Sequence, residues 1–102
     1  MANTNKIEII KQTLSQNLTR LKQQYQITQL GIFGSYVRGE ATKNSDLDIL
    51  VEFEPQVEFG LITFCELENY LSEILSLKVD LVMKDSLKPN LSQNILQEVV
   101  YL

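Results

Sequence analysis

The sequence predicts one small α/β domain, a mixed sheet of three to four strands with helices packed against it. The first observation is its length, because 102 residues can bury one modest core. The second is periodicity, since some apolar residues recur at helical spacing and others form short strand-like runs. The third is their order, namely helix, strand, short helix, strand, helix, strand, helix. One layered domain over residues 1–102 accommodates this order most economically.

In the first half, a long amphipathic helix is followed by a strand and a short helix. The helix is predicted by apolar residues at spacings of three and four, namely Ile7, Ile10, Leu14, Leu18, Leu21 and Tyr25. Asn5 and Glu8 resemble its capping box. The strand covers 27–33, and Gly31 within it indicates a close approach of another group to the backbone. The short helix covers 35–40.

The second half repeats strand and helix. A strand is predicted over 47–53 and ends before Pro55. The next helix should cover the sheet with the stripe Leu61, Phe64, Leu67, Leu71, Ile74 and Leu75. A third strand over 78–83 carries Asp80 among apolar residues. After Pro89, a last helix is predicted from Leu91, Ile95, Leu96, Val99 and Val100.

The composition argues against several classes of function. The net charge is −4 without any basic run, which argues against direct binding of nucleic acid. No apolar run approaches a membrane span, and no signal peptide is recognisable. The lone Cys65 cannot form an internal disulfide, so we expect a buried, reduced thiol and a cytoplasmic protein. Because histidine is absent, carboxylates, hydroxyls and backbone groups must carry any chemistry.

The most informative segment runs from Gly34 to Asp48. Gly34 and Ser35 follow an apolar strand and precede a helix, where backbone N–H groups form a natural phosphate cradle. Asp46 and Asp48 alternate along the next strand, so both carboxylates project from one face. Mg²⁺ prefers such carboxylates together with substrate phosphates. Asp80 is the natural third ligand if the third strand neighbours the second.

This arrangement predicts two-metal nucleotidyl transfer, in which one ion activates a hydroxyl and the other steadies the leaving oxygens. Arg38 is placed to meet a phosphate or an acidic partner surface, with Glu40 orienting it. Simpler interpretations compete at each position: Ser35 as a helix cap, Ser45 as a turn residue with a local hydrogen bond, and the acids as a solvated strand face. The short chain suggests that a partner completes the site.

The joint pattern of Gly34-Ser35, Asp46-Leu47-Asp48 and a later Asp80 resembles the DNA polymerase β-like nucleotidyltransferase superfamily. At this size the chain looks like a minimal nucleotidyltransferase antitoxin, the partner of a HEPN-domain toxin. The resemblance implies a polymerase β-like fold and catalytic, metal-binding acids at Asp46, Asp48 and Asp80. It implies nucleotide binding by Gly34, Ser35, Arg38 and Ser45, the last filling the small polar position before the acids.

The resemblance further implies transfer of AMP from ATP to a tyrosine of a small helical ribonuclease, with Mg²⁺, two ions being expected, and a hetero-oligomer with the toxin. The alternative is a non-catalytic antitoxin that covers the toxin's active site and binds nucleotide only to stabilise the complex. Transfer to a small molecule such as an aminoglycoside is a third possibility, which the absence of a second domain disfavours.

Overall fold

In a computed structural model of the chain, residues 6–55, 60–87 and 89–102 are described, with the backbone alone for 89–92. Within these ranges the elements follow the predicted order, with one strand added at the end. They are α1 (Lys6–Tyr25), β1 (Ile27–Phe33), α2 (Ser35–Arg38), β2 (Leu47–Phe53), α3 (Leu61–Leu75), β3 (Val79–Met83), α4 (Pro89–Glu98) and β4 (Val100–Tyr101), with a 3₁₀ turn at Lys84–Ser86.

The four strands form one mixed sheet in the order β3-β2-β1-β4. β1 runs antiparallel to both β2 and β4, whereas β2 and β3 are parallel and are connected through α3. The predicted mixed sheet with helices packed against it is confirmed. The predicted adjacency of the second and third strands is also confirmed, and it pairs Asp48 with Asp80.

The core lies between the sheet and the helices α1 and α3. The apolar stripes of both helices are largely buried as predicted, and alternate residues of β1 and β2 face them. Removing each such leucine or isoleucine from water contributes about 1.5–3 kcal/mol. The completely buried members include Leu14, Leu21, Ile32, Leu47, Ile49, Leu67 and Leu71. The end of the sheet that carries Asp48 is therefore supported by a well-packed core.

Gly31 allows the last strand to approach β1 closely. A Cβ atom at this position would lie 2.6 Å from Cγ2 of Val99 and 3.3 Å from the carbonyl oxygen of Val100. Real Cβ atoms essentially never approach another heavy atom to 2.6 Å, so a side chain here would force Val99 to move and would crowd the carbonyl of Val100. The sequence expectation of a close backbone approach is confirmed.

The prediction of helix for Val99 and Val100 is wrong. α4 ends at Glu98, and Val100 pairs with Ile32 across the free edge of β1. Leu102 extends this contact, because its N–H donates to the carbonyl of Leu30 at 2.9 Å. β-branched residues favour strands, and the unpaired backbone groups of β1 offer hydrogen bonds that one further helical turn would leave unmade.

Two expectations for α3 are also wrong. Cys65 is exposed, because it lies on the side of α3 that faces away from Leu67 and Leu71. Leu61 is 77% exposed and does not cover the sheet. The expected capping box of α1 includes Asn5, which lies outside the described residues. In the described part of the chain, no helix has the length and apolar character that crossing a membrane requires.

Candidate active site

A sharp turn at Gly34 connects β1 to α2. Gly34 has φ 86°, a conformation that glycine adopts without strain. A Cβ atom there would collide with Oδ2 of Asp48 and would lie 3.0 Å from its Cγ. The absence of a side chain at Gly34 thus lets the carboxylate of β2 touch the turn. The sequence pattern predicts one site for Gly34 and Asp48, and the structure brings these residues into contact.

The turn presents open hydrogen-bond donors. The N–H groups of Val37 and Arg38 donate to the Gly34 carbonyl at 3.0 and 3.1 Å, which closes the short helix α2. Within the described residues, the N–H groups of Ser35 and Tyr36 and the Ser35 hydroxyl have no acceptor or donor partner. Ser35 is the first residue of α2 and not its cap, so the simpler interpretation of Ser35 is wrong.

The Tyr36 side chain fixes the open end of α2. It is 7% exposed and belongs to the hydrophobic core. Gly39 adopts the left-handed conformation directly after Arg38, and its N–H donates to the Ser35 carbonyl. The predicted helix over 35–40 is therefore shorter and ends at Arg38, because the left-handed residue stops it. The donors of the turn consequently sit on a rigid base.

The three aspartates lie at the same end of the sheet as the turn. Asp48 is in β2 opposite Phe33, the last residue of β1, and Asp80 is its partner in β3. Asp46 directly precedes β2, and its Oδ1 lies 4.0 Å from Nζ of Lys78. Asp80 is exposed, whereas Asp46 and Asp48 are half-buried. The adjacent acids concentrate negative charge beside the open donors.

The environment of Asp48 raises the pKa of its carboxyl group. The pKa of Asp48 is raised from 3.8 to about 6, mainly because burial disfavours the charged form and also because the carboxylates of Asp80 and Asp46 lie nearby. Arg38 lowers the pKa of Asp48 by less than burial raises it, and Glu98 adds a smaller upward contribution. A partly desolvated carboxylate among like charges is a group that a cation would stabilise.

The acids are not drawn together around a single point. Within residues 6–55, 60–87 and 89–102, no group of three or more acidic or thiol side chains is close enough to form a ready-made metal site. The oxygen-only donor set nevertheless suits Mg²⁺, which retains several waters and takes further oxygens from substrate phosphates. The residues fit the ion by donor type and charge.

Arg38 is held by two carboxylates. Its Nε donates to Oε1 of Glu40 at 2.9 Å, which confirms the predicted contact between the two residues. Its Nη1 donates to both carboxylate oxygens of Glu98 at 3.1 Å. Glu98 also accepts the N–H of Gly34 at 2.8 Å. Glu98 was missed from the sequence, because it lies at the end of the last helix and no local motif marks it.

Ser45 stabilises the loop before β2. Its hydroxyl accepts the Thr42 N–H at 2.8 Å, and its own N–H donates to the Thr42 carbonyl at 3.1 Å. The interpretation of Ser45 as a turn residue with a local hydrogen bond is confirmed. Contact with a nucleotide is a separate prediction for Ser45, and the intact loop leaves it next to Asp46.

A polar cavity of about 370 Å³ opens beside Asp46. The loop before β2 contributes Lys43 and Ser45, and the segment after α3 contributes Leu77 and Lys78. A larger, mainly apolar groove of about 450 Å³ lies between the start of α3 and β3, and none of the predicted site residues lines it. Of these two cavities, the polar one is lined by Asp46 and by the cationic side chains of Lys43 and Lys78.

Comparisons with known proteins agree with this geometry. The sequence profile of the family described as "Nucleotidyltransferase domain" matches residues 14–102. Protein adenylyltransferase MntA of Thermococcus cleftensis is 47% identical over 96 residues, which cover 94% of this chain and 95% of the relative. The acids and the turn thus occur in a chain whose close relative bears an adenylyltransferase name.

Solved structures give the same result for the fold. A minimal nucleotidyltransferase candidate of known structure superposes with a TM-score of 0.76 at 28% identity, with all of both chains covered. A toxin–antitoxin structure with AMP-PNP matches at a TM-score of 0.65 and 30% identity, over 95% of this chain and 71% of that one. The chain therefore belongs to the nucleotidyltransferase family, among the minimal nucleotidyltransferases of toxin–antitoxin systems.

Proposed function

We propose that this nucleotidyltransferase is an antitoxin that transfers AMP from ATP to a tyrosine hydroxyl of its cognate HEPN-domain ribonuclease toxin. The observation that carries the proposal is the contact between the Gly34 turn and the Asp48 carboxylate. The open N–H donors of the turn lie beside the Asp48 carboxylate, whose pKa is raised. This arrangement suits a substrate that carries both phosphates and a cation. The MntA relative supports protein as the acceptor class.

The turn would bind the phosphates of ATP. The N–H groups of Ser35 and Tyr36 and the Ser35 hydroxyl have no partner among the described residues, and backbone donors of this kind recognise phosphate oxygens. Gly34 contributes through its conformation and its missing side chain, since its own N–H already donates to Glu98. The toxin–antitoxin relative with AMP-PNP supports an adenine nucleotide as the substrate.

Asp46 and Asp48 would hold Mg²⁺, with Asp80 completing the donor set. When bound, Mg²⁺ neutralises charge on the transferred phosphoryl group and on the leaving oxygens. The protein residues orient the nucleotide through the turn, so catalysis rests on positioning and charge stabilisation. The exposed Asp80 is the acid that an incoming acceptor reaches most easily.

In the reaction, the tyrosine oxygen attacks the α-phosphorus of ATP. The bond between that phosphorus and the bridging oxygen to the β-phosphate breaks, and pyrophosphate leaves with the bonding electrons. The hydroxyl proton passes to a nearby aspartate carboxylate or to solvent, and no covalent intermediate with this chain is needed. The cavity beside Asp46, with Lys43 and Lys78 in its wall, provides space next to the reacting centre.

A labelling experiment tests the proposal. The purified chain is incubated with the HEPN-domain protein encoded beside it, Mg²⁺ and α-labelled ATP, and the intact mass of the partner is measured. We expect a mass increase of one or more AMP units, mapped to tyrosine by fragmentation. Transfer of label without loss of the partner's ribonuclease activity would contradict the antitoxin function, and absence of label would contradict the enzymatic one.

Variants separate catalysis from binding. The double variant Asp46→Asn and Asp48→Asn should abolish labelling while still binding the toxin. Asp85→Asn removes an exposed carboxylate in the 3₁₀ turn and should label at the wild-type rate. If the double variant protects cells from the toxin as well as the wild type does, the non-catalytic alternative is correct and AMP transfer is not what neutralises the toxin.

A further inference from the structure

Glu98 connects the end of the chain to two predicted phosphate-binding groups. Its carboxylate accepts a hydrogen bond from the Gly34 N–H at 2.8 Å, and both of its oxygens accept from Nη1 of Arg38 at 3.1 Å. These partners are 64 and 60 residues away in sequence. A single side chain from α4 therefore fixes the backbone of the turn and the guanidinium on α2 at once.

The position of Glu98 is set by the backbone around it. α4 ends at this residue, and β4 then pairs Val100 with Ile32 of β1. Because β1 and β4 are antiparallel, continuing this register brings Glu98 opposite Gly34. The Glu98 side chain is 25% exposed, compared with 64% for Glu40, the other partner of Arg38. Glu98 is thus the more enclosed and better fixed of the two carboxylates.

The guanidinium is held so that one end stays available. Nε and Nη1 of Arg38 engage carboxylates, whereas Nη2 has no acceptor among the described residues. Arginine presents five N–H donors in a rigid plane, so fixing one edge fixes the direction of the remaining donors. A side chain that is fixed in this way loses little further entropy when it binds a phosphate.

We propose that Glu98 is a positioning residue for the nucleotide, which orients Arg38 and the Gly34 turn toward the β- and γ-phosphates of ATP. This inference rests on the proposed function. It adds a residue outside the sequence motif to the site. The pairing of β1 with β4 would then serve nucleotide binding, because it brings Glu98 to the turn. The guanidinium of Arg38 offsets part of the charge that Glu98 brings to the turn.

The test is nucleotide affinity in the full chain. We expect Glu98→Gln to weaken binding of a non-hydrolysable ATP analogue with Mg²⁺ roughly five- to tenfold, because a neutral amide holds the guanidinium less firmly. AMP affinity should change much less, since AMP lacks the phosphates that Arg38 would meet. In an Arg38→Ala background, Glu98→Gln should cause a clearly smaller loss, since part of its effect passes through the guanidinium.

Glu52→Gln is the matched control. Glu52 is a half-buried carboxylate paired with Lys84 at 3.6 Å and lies away from the turn, so nucleotide affinity should stay at the wild-type value. If Glu98→Gln does not unfold cooperatively, Glu98→Asp takes its place. It keeps the charge but is too short to reach both partners, and the same direction of change is expected.

Each outcome decides between roles. Unchanged or tighter binding of the ATP analogue by the Glu98 variant would overturn the inference, because Glu98 would then be only a tether or a competing anion. Equal losses for ATP and AMP would also overturn it. If the wild type modifies its toxin and Glu98→Gln binds the ATP analogue as tightly as the wild type does, the positioning role is refuted while the proposed function stands. If the wild type binds no nucleotide, both the proposed function and this inference fail.

Discussion

The half-buried carboxylate of Asp48 should lower the stability of the metal-free protein relative to a variant with a neutral side chain at this position. In metal-free buffer at about pH 7.5, we expect Asp48→Asn to increase the free energy of unfolding by about 1 kcal/mol. The pKa of Asp48 rises from 3.8 to about 6, mainly through burial. About two pK units correspond to roughly 3 kcal/mol, and solvent screening of this half-buried group reduces the value.

The sign follows from proton linkage. An acid whose pKa is raised by folding destabilises the folded state when it is ionised, and this cost is fully present above about pH 6. The cost declines as pH falls from about 6 to 4, and it vanishes below about pH 4, where Asp48 is protonated in both states. The difference between Asp48→Asn and wild type should therefore be largest near neutral pH and close to zero at about pH 4.

Urea unfolding with a chelator at both pH values measures the effect. Asp46→Asn is the neighbouring control: its carboxylate lies 4.0 Å from the exposed Lys78, so its removal should change stability by at most about 0.5 kcal/mol. The reasoning is refuted if Asp48→Asn destabilises the protein at neutral pH, or if its advantage is the same at both pH values.

Three further predictions concern the same site. Mg²⁺ should raise the midpoint of thermal unfolding of the wild type and leave that of Asp48→Asn nearly unchanged; an equal rise in both would exclude Asp48 as a ligand. Ser35→Ala should leave the free energy of unfolding in urea within about 0.5 kcal/mol of wild type, because the hydroxyl has no partner in the described part of the chain, yet weaken ATP binding several-fold in calorimetry. Gly34→Ala should cost at least about 1–2 kcal/mol in the same unfolding assay, since alanine is strained at φ 86° and its Cβ collides with Asp48; wild-type stability would show that the turn can relax.

Local patterns were sufficient for most of the scaffold. The predicted strands over 27–33 and 47–53 have the bounds that the structure shows; Gly34 follows the first strand, and Asp46 and Pro55 flank the second. The proximity of Asp80 to Asp48 required a guess about topology, and the parallel pairing of β2 with β3 supports that guess. Here the local signals and the tertiary structure favour the same arrangement.

Non-local pairing accounts for what sequence could not supply. β4 has two residues, and its apolar pattern continues that of α4 without a break, so periodicity alone assigned Val100 to the helix. Only the free edge of β1 decides otherwise, and no sequence window contains both strands. Glu98 shares this origin, since its contact with Gly34 spans 64 residues. A local pattern identifies the residues of a motif, but it does not identify a residue such as Glu98, whose side chain contacts the motif from another element.

The register between β1 and β2 links the core to the chemistry. Ile32 and Ile49 are register partners and are both fully buried, while the next pair, Phe33 and Asp48, brings the acid to the turn at Gly34. Side chains alternate along a strand, so a slip of one residue would turn Asp48 toward the core and Ile49 toward solvent. That slip would desolvate a carboxylate and expose an isoleucine at the same time, and each change is unfavourable. The apolar pair thus fixes the position of Asp48 relative to the Gly34 turn, so packing in the core holds these two groups together although no close group of three acidic or thiol side chains lies within the described residues.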